Sequence, residues 1–202
     1  MKKDPKTDNL LTPENAALII IDYQPLQINS INSMSRAALV KNITTVAKLA
    51  KAFKLPVVLS TVNVKNHVNE DTIPQIKQVL GDIPSIDRTT INSWEDEGFY
   101  NAVKATNRKK LIITALWTEA CLIFPTLDAL AEGYEVYPVV DAIGGTSTVA
   151  HEAALRHVEL SGAKPISIPQ LACELQRDWA RHDTVKDFLN IMYDAGIFLK
   201  LN

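Results

Sequence analysis

The sequence predicts a three-layer α/β fold, in which helices cover both faces of a central parallel sheet. Short apolar runs alternate with segments of helical periodicity along the whole 202-residue chain, and continuous apolar runs are typical of strands buried on both faces. Hydrophobic residues make up 47% of the chain and charged residues 22%, a balance that suits a globular core. Because a β-α-β-α order builds a parallel sheet with helices on each side, we predict one domain over residues 1–202 with a Rossmann-like arrangement.

The first half of the chain contains two predicted strands and two predicted helices. Residues 17–21 (ALIII) form an apolar run that Asp22 closes, and residues 56–62 (PVVLSTV) are rich in β-branched side chains. Such runs are typical of strands. Residues 38–54 carry apolar side chains at the spacing of one helix face, and a short helix is predicted over residues 72–80.

The second half continues the alternation and ends in helices. In chain order we predict a helix over 94–106, a strand over 111–116, a helix over 119–132, a strand over 134–140, a helix over 149–161 and a short strand over 163–168. Gly133 and Gly162 end two of these helices, as glycine commonly does. Pro138 removes one ladder hydrogen bond from its strand. Helical segments are predicted from Cys173 onwards.

Charge and cysteine content exclude several classes of protein. The chain has 21 Lys and Arg against 23 Asp and Glu, so its formal net charge is −2. This balance provides no electrostatic footprint for nucleic acid or an anionic membrane, and we expect neither as a partner. The two cysteines lack CxxC spacing and are too few for a disulfide framework. No apolar signal-peptide core follows the basic start, so we expect a cytoplasmic protein with reduced thiols.

The residues that follow the strands are the candidates for a site, because open parallel sheets bind ligands beyond the carboxyl ends of their strands. Cys121 follows one predicted strand by five residues and falls in the first turn of the next helix. A helix N-terminus lowers the pKa of a thiol, and its free amides can hold an oxyanion. A buried structural cysteine is an equally good interpretation of this position. Pro125 has no N–H for the Cys121 carbonyl, so the helix must adjust there.

Two charged residues could assist such a thiol. Asp22 at the end of the first strand could accept a thiol proton, although capping a loop or a helix explains it equally well. Arg88 could place a permanent cation near the site, although most arginines are solvated surface charges. The four histidines show no metal-ligand spacing, and the pair Gly144-Gly145 is not a nucleotide-binding motif.

Several segments together resemble the isochorismatase-like cysteine hydrolases, and among them the YcaC-like subgroup. These segments are IIIDYQ at 19–24, RTTINSW at 88–94, ALWTEACLIFPTLDAL at 115–130 and ACELQRDW at 172–179. The resemblance implies the isochorismatase-like hydrolase fold and a catalytic triad of Asp22, Arg88 and Cys121. It also implies a cis peptide bond between Leu116 and Trp117 and an oxyanion hole formed by the backbone N–H groups of Trp117 and Cys121.

The resemblance also shows departures from the family pattern. Arg88 stands where the family usually has lysine, and arginine keeps the charge but cannot donate a proton near neutral pH. Nicotinamidases carry an Asp-x-His…His metal site after the second strand, whereas residues 61–68 here read TVNVKNHV. We therefore expect no metal and no other cofactor. Gln24, Asn92 and Trp94 are the candidate substrate contacts.

These observations favour a metal-independent cysteine hydrolase that acts on a small amide-like or related carbonyl substrate through a Cys121 thiolate and a covalent acyl-enzyme. One alternative is an isochorismatase-type vinyl-ether hydrolase, which does not need the cysteine. Another is a catalytically inactive relative that only binds a ligand.

The resemblance also implies a homo-oligomer, with an octamer as one candidate state. Its contact surface would be the helical segment 173–202, which carries the apolar residues Trp179, Phe188, Ile191, Met192 and Phe198. Alternatively, these side chains cover the sheet of their own domain.

Overall fold

A central sheet of five parallel strands organises the computed structural model, which describes residues 3–199. The strands are β1 (Ala16–Ile21), β2 (Val57–Val62), β3 (Ser85–Arg88), β4 (Lys110–Ala115) and β5 (Glu135–Pro138). Their order across the sheet is β3-β2-β1-β4-β5, and every neighbouring pair is parallel. The chain thus proceeds outward from β1 to one edge and then from β4 to the other. The strand order reverses between β1 and β4, which is where open α/β sheets place their ligands.

Helices pack on both faces of this sheet and confirm the predicted three-layer fold. They are α1 (Pro25–Asn29), α2 (Arg36–Ala52), α3 (Pro74–Leu80), α4 (Glu97–Ala105), α5 (Ile123–Ala131), α6 (Thr148–Leu160), α7 (Ile168–Gln176) and α8 (Val185–Asp194). No helix within residues 3–199 is long and apolar enough to cross a membrane.

The apolar sequence of β1 is explained by two separate cores. Leu18 and Ile20 belong to the cluster on one face of the sheet, whereas Ile19 and Ile21 belong to the cluster on the other. All four side chains are at most 1% exposed. Burying one such side chain contributes about 1.5–3 kcal/mol, so β1 anchors the sheet and fixes the position of the residue that follows it.

Three elements differ from the sequence-based prediction. β3 was not predicted, because it is a short edge strand with mostly half-buried residues and therefore lacks an apolar run. The predicted helix over 94–106 is divided into a 3₁₀ turn (Ser93–Glu95) and α4, since the Asp96 side chain caps the N-terminus of α4. The strand predicted over 163–168 is wrong: Ile166 forms a single bridge with Val139, and α7 already begins at Ile168.

The C-terminal helices cover their own domain. Phe188, Ile191 and Met192 are at most 8% exposed and belong to the core cluster that α2 helps to form. They are therefore not free to form an oligomer surface, which corrects the prediction for these three residues. Trp179 remains 65% exposed, with its ring edge-on to Phe188 at a centroid distance of 5.6 Å. The end of the predicted segment, residues 200–202, lies outside the described residues.

Candidate active site

A buried ion pair joins the ends of β1 and β3. Arg88 Nη1 lies 2.7 Å from Asp22 Oδ1, and Arg88 Nη2 lies 2.8 Å from Asp22 Oδ2. Both side chains are fully buried. This two-pronged geometry is the strongest arrangement of arginine with a carboxylate. Asp22 is therefore not a helix cap, and Arg88 is not a solvated surface charge.

The backbone around the pair holds each partner in place. Arg88 Nη1 also donates to the Thr61 carbonyl at 3.0 Å, and Nη2 donates to the Ile91 carbonyl at 3.3 Å. Asp22 has a positive φ of 63°, while its N–H still pairs with the Ser60 carbonyl at 3.0 Å. Aspartate tolerates this left-handed conformation better than most residues. This conformation ends β1 abruptly and fixes the carboxylate at the place where the strand order reverses.

Cys121 lies in a π-helical turn between β4 and α5. The turn spans Thr118–Leu122 and is continuous with α5. The Leu122 N–H donates to the Trp117 carbonyl five residues earlier at 3.2 Å. In a regular α-helix the Cys121 carbonyl would accept the N–H of Pro125, which has none. The wider turn is the adjustment that the sequence predicted, and such turns are frequent at functional sites.

The environment of Cys121 raises the pKa of its thiol. The residue is only 8% exposed, and this burial raises the pKa of the thiol, an effect that the neighbouring Asp22 carboxylate increases. Arg88 and the Trp117 amide lower the pKa of the thiol but do not compensate. This shift is opposite in direction to the one predicted for a thiol at a helix N-terminus, and burial is its largest cause.

Trp117 connects the thiol to the loop after α1. Its peptide bond with Leu116 is cis, the form that the resemblance implies, and its backbone N–H contacts the Cys121 sulfur. The indole Nε1 donates to Ser30 Oγ at 2.6 Å. The Trp117 amide thus lies next to the sulfur, where a substrate carbonyl would be bound.

Gln24 has a structural position. Its Nε2 donates to the carbonyls of Val62 and Glu70 at 3.1 and 2.6 Å, and its Oε1 accepts the Val62 N–H at 2.9 Å. Both N–H groups of the amide are thus bonded to backbone carbonyls. The expectation that Gln24 binds substrate is therefore corrected: it holds the end of β2 and the following loop.

Asn92 and Trp94 also have protein partners. Asn92 accepts the Trp94 N–H at 3.1 Å and donates to Asp128 Oδ2 at 2.7 Å. Trp94 donates its indole N–H to Glu132 at 2.9 Å and is 9% exposed. Both residues therefore connect the 3₁₀ turn to α5 and the residue that follows it. Trp94 does belong to the same apolar cluster as Cys121.

Sequence reasoning missed the residues around Gly144 and Gly145. A Cβ atom on Gly144 would lie 2.9 Å from Ile31 Cγ2, and one on Gly145 would lie 2.6 Å from Glu119 Oε2. Neither glycine has a positive φ among the described residues, so close approach, and not backbone conformation, requires glycine here. The Gly-Gly pair was the sequence signal that could have indicated this close approach. The two glycines contact the loop before α2 and the Cys121 turn.

The described part of the chain contains no group of three or more His, Cys, Asp or Glu side chains that could hold a metal ion. Thr118 Oγ1 forms a hydrogen bond with His151 Nδ1 at 2.8 Å. Burial lowers the pKa of His151.

Comparison with known proteins agrees with this geometry. The family model described as "Isochorismatase domain" matches residues 16–170. The curated protein "Probable hydrolase YcaC" of Escherichia coli is 35% identical over 198 residues, which cover 92% of this chain and 94% of that protein.

Solved structures show the same relationship. YcaC from Pseudomonas aeruginosa, solved with hexane-2,5-diol and covalent acrylamide, has a TM-score of 0.87 and 33% identity over 94% of this chain and 93% of that one. The Escherichia coli YcaC gene product, described as an octameric hydrolase of unknown specificity, has a TM-score of 0.82 and 31% identity over 95% and 98% of the two chains. The chain therefore belongs to the isochorismatase family of hydrolases, among its YcaC-like members.

Proposed function

We propose that this protein is a metal-independent cysteine hydrolase that cleaves small amides or related carbonyl compounds through an acyl-enzyme on Cys121. One observation carries the proposal: a nearly buried thiol is in contact with a fully buried Asp22–Arg88 ion pair. A thiol beside a carboxylate, at the point where the strand order reverses, supports the roles of nucleophile and proton acceptor. An adjacent base is the usual way to activate such a nucleophile.

In the first step Asp22 takes the proton of the Cys121 thiol. Each carboxylate oxygen has lone pairs left after its bond to Arg88, so it can accept that proton. The sulfur forms a bond to the substrate carbonyl carbon, and the carbonyl π electrons move to the oxygen. The sulfur attacks as a thiolate once Asp22 holds its proton, so a thiol whose pKa is raised at rest is compatible with this step.

The backbone N–H groups of Trp117 and Cys121 would stabilise the negative oxygen that forms. Such a donor typically contributes a factor of about 10²–10³ to the rate. When the carbonyl re-forms, the carbon–nitrogen bond breaks, and Asp22 returns the proton to the leaving nitrogen. Water then transfers a proton to Asp22 and attacks the thioester carbonyl. Loss of the sulfur, which takes the proton back, completes hydrolysis.

Arg88 has a purely electrostatic role in this scheme. Its pKa is raised by the hydrogen bond and the charge of Asp22 in spite of burial, so it stays charged at every step. It holds both Asp22 oxygens before transfer and remains a cation beside the thioester and the oxyanion afterwards. A lysine could also donate a proton, so the arginine shifts all proton transfer to Asp22.

The burial of Cys121 supports a small substrate. With 8% of the residue exposed, only a slim acyl group can reach the sulfur. The Pseudomonas aeruginosa relative holds covalent acrylamide, which is a small amide, and this supports the same size class here.

We also propose that the protein acts as a homo-oligomer in the cytoplasm. The Escherichia coli relative is an octamer, and Trp179 is a large aromatic residue that remains 65% exposed. A single side chain of this size can provide a major contact in an interface.

Release of ammonia from a panel of small primary amides tests the proposed reaction. The variant Cys121→Ala should lose turnover completely, whereas the matched control Cys173→Ala should retain it, since Cys173 is exposed on α7. Intact-mass measurement during turnover should show an acyl adduct that is absent in Cys121→Ala. Retained turnover in that variant contradicts the mechanism, and so does turnover of vinyl ethers alone.

A further inference from the structure

Three consecutive residues at the start of the Cys121 turn are each bonded to a different part of the protein. Trp117 donates to Ser30 in the loop after α1, and Thr118 is bonded to His151 of α6. Glu119 Oε1 accepts two hydrogen bonds from Thr146, one from the backbone N–H at 2.8 Å and one from the hydroxyl at 2.5 Å. The Glu119–Thr146 bonds therefore attach the turn to the loop between β5 and α6.

That loop is in turn fixed to the segment before α2. The Gly145 carbonyl accepts the N–H groups of Asn32 and Ser33 at 3.1 and 3.3 Å. The Gly145 N–H donates to Ser33 Oγ at 2.9 Å, and Asn32 Nδ2 donates to the Thr146 carbonyl at 3.1 Å. Together with the bond from the Thr118 N–H to the Gly144 carbonyl at 2.9 Å, these contacts connect three loops at the carboxyl edge of the sheet.

Glu119 is the only carboxylate that the described contacts place in this connection. The absence of a Cβ atom at Gly145 leaves the space that its second oxygen occupies, since a Cβ there would approach Oε2 to 2.6 Å. Oε2 itself is buried without a hydrogen-bond partner. A half-buried carboxylate that accepts two bonds from one residue and none through its buried second oxygen is poorly explained by local stability alone, because an unsatisfied buried oxygen is unfavourable.

We propose that Glu119 is a positioning residue for the nucleophile: its charge-assisted bonds to Thr146 hold the Cys121 turn against Asp22 and Arg88. Hydrogen bonds to an ionised carboxylate are shorter and stronger than neutral ones, and both bonds converge on one oxygen. Without them, Trp117 and Thr118 supply the remaining side-chain hydrogen bonds at the start of the turn. The sulfur would then move away from the Asp22 carboxylate and towards solvent.

The pH dependence of Cys121 alkylation measures this position directly and needs no substrate. Asp22, Arg88 and the Trp117 amide are the groups that set the proton affinity of the sulfur. On the Glu119 side, His151 and Glu152 of α6 are the other titratable groups. The midpoint of the iodoacetamide reaction is the pH at which Cys121 is alkylated at half its maximal rate. In Glu119→Ala, the sulfur is less buried and farther from Asp22, so this midpoint should fall by about one pH unit, a tenfold change in the thiolate fraction at a given pH. Cys173 in the same sample serves as the internal control.

Two further variants separate positioning from general stability. Glu119→Gln keeps an oxygen for both Thr146 donors but loses the charge, so it should shift the midpoint less than Glu119→Ala does. Thr146→Val removes only the hydroxyl, so it should shift the midpoint in the same direction as Glu119→Ala by a smaller amount, and it remains informative if Glu119→Ala does not fold. A purely structural role would lower the melting temperature and leave the midpoint unchanged.

The proposal is overturned if folded Glu119→Ala and Thr146→Val both alkylate at Cys121 with the wild-type midpoint. It is also overturned if Glu119→Gln shifts the midpoint as far as Glu119→Ala, because geometry is then not the cause. The result does not depend on turnover, so the proposed hydrolase activity can fail while this inference holds.

Discussion

Removing Arg88 should destabilise the protein strongly, because it leaves a carboxylate buried without its partner. In Arg88→Met the fully buried Asp22 loses two charge-assisted hydrogen bonds, of 2.7 and 2.8 Å. Breaking a buried pair by removing one partner costs about 3–5 kcal/mol. That is a large part of the total unfolding free energy of a typical domain, about 5–15 kcal/mol. For a chain of this size each kcal/mol lowers the melting temperature by about 2–4 °C, so we expect a decrease of roughly 6–20 °C.

The double variant Asp22→Asn/Arg88→Met provides the matched control. It removes both charges, and replacing a buried pair with neutral groups is often close to neutral for stability. Urea unfolding at pH 7, followed by circular dichroism, measures both variants. The reasoning is refuted if Arg88→Met loses less than about 1 kcal/mol, the value of an exposed surface pair. It is also refuted if the double variant is less stable than Arg88→Met, because the unpaired charge is then not the cause.

Three further predictions concern the thiol, Gln24 and the exposed tryptophan. Burial and Asp22 raise the pKa of Cys121, so at pH 7 iodoacetamide should modify it more slowly than the exposed Cys173. Rapid modification of Cys121 should require a pH well above about 8.5. Asp22→Asn removes one cause of the raised pKa and should lower the pH that rapid modification requires, as peptide mass spectrometry can determine. Gln24→Ala leaves the backbone groups of Val62 without partners, so it should lower the free energy of unfolding in urea by about 1–3 kcal/mol. Wild-type stability in Gln24→Glu, which lacks the amide donor, would argue against this role. Trp179→Ser should shift the oligomer towards smaller species in light scattering with a change of about 2 kcal/mol in association, and an unchanged mass would exclude Trp179 from the interface.

The central strands were predictable because their successive side chains point into the apolar cores on both faces of the sheet. β1 and residues 111–113 of β4 are continuous apolar segments for this reason, and the positions of both strands agree with the prediction to within one residue. β3 lies at the edge, where one side is covered less completely, so its sequence SIDR carries no such signal. The short strand over 163–168 was predicted from apolar residues that pack against the sheet without joining it, apart from the bridge at Ile166.

The candidate site was predictable in part for a similar reason. Asp22 and Cys121 follow strands that neighbour each other in the sheet, so their proximity follows from topology. Gln24, Asn92 and Trp94 also follow strands, but their hydrogen bonds go to the protein's own groups. The partner of a polar side chain cannot be deduced from its place in the sequence, because the Gln24–Val62 contact joins residues 38 positions apart.

The sequence by itself determined the α/β class, the central strands and the family, since each depends on local apolar patterns and short motifs. Only the tertiary structure decided the direction in which the pKa of Cys121 is shifted, because that pKa depends on burial and on Asp22, 99 positions away along the chain. It also decided that Arg88 is a buried partner and that Glu119 reaches Thr146. These properties arise from long-range contacts, whose electrostatic energies depend on distances of a few ångströms that no local pattern encodes.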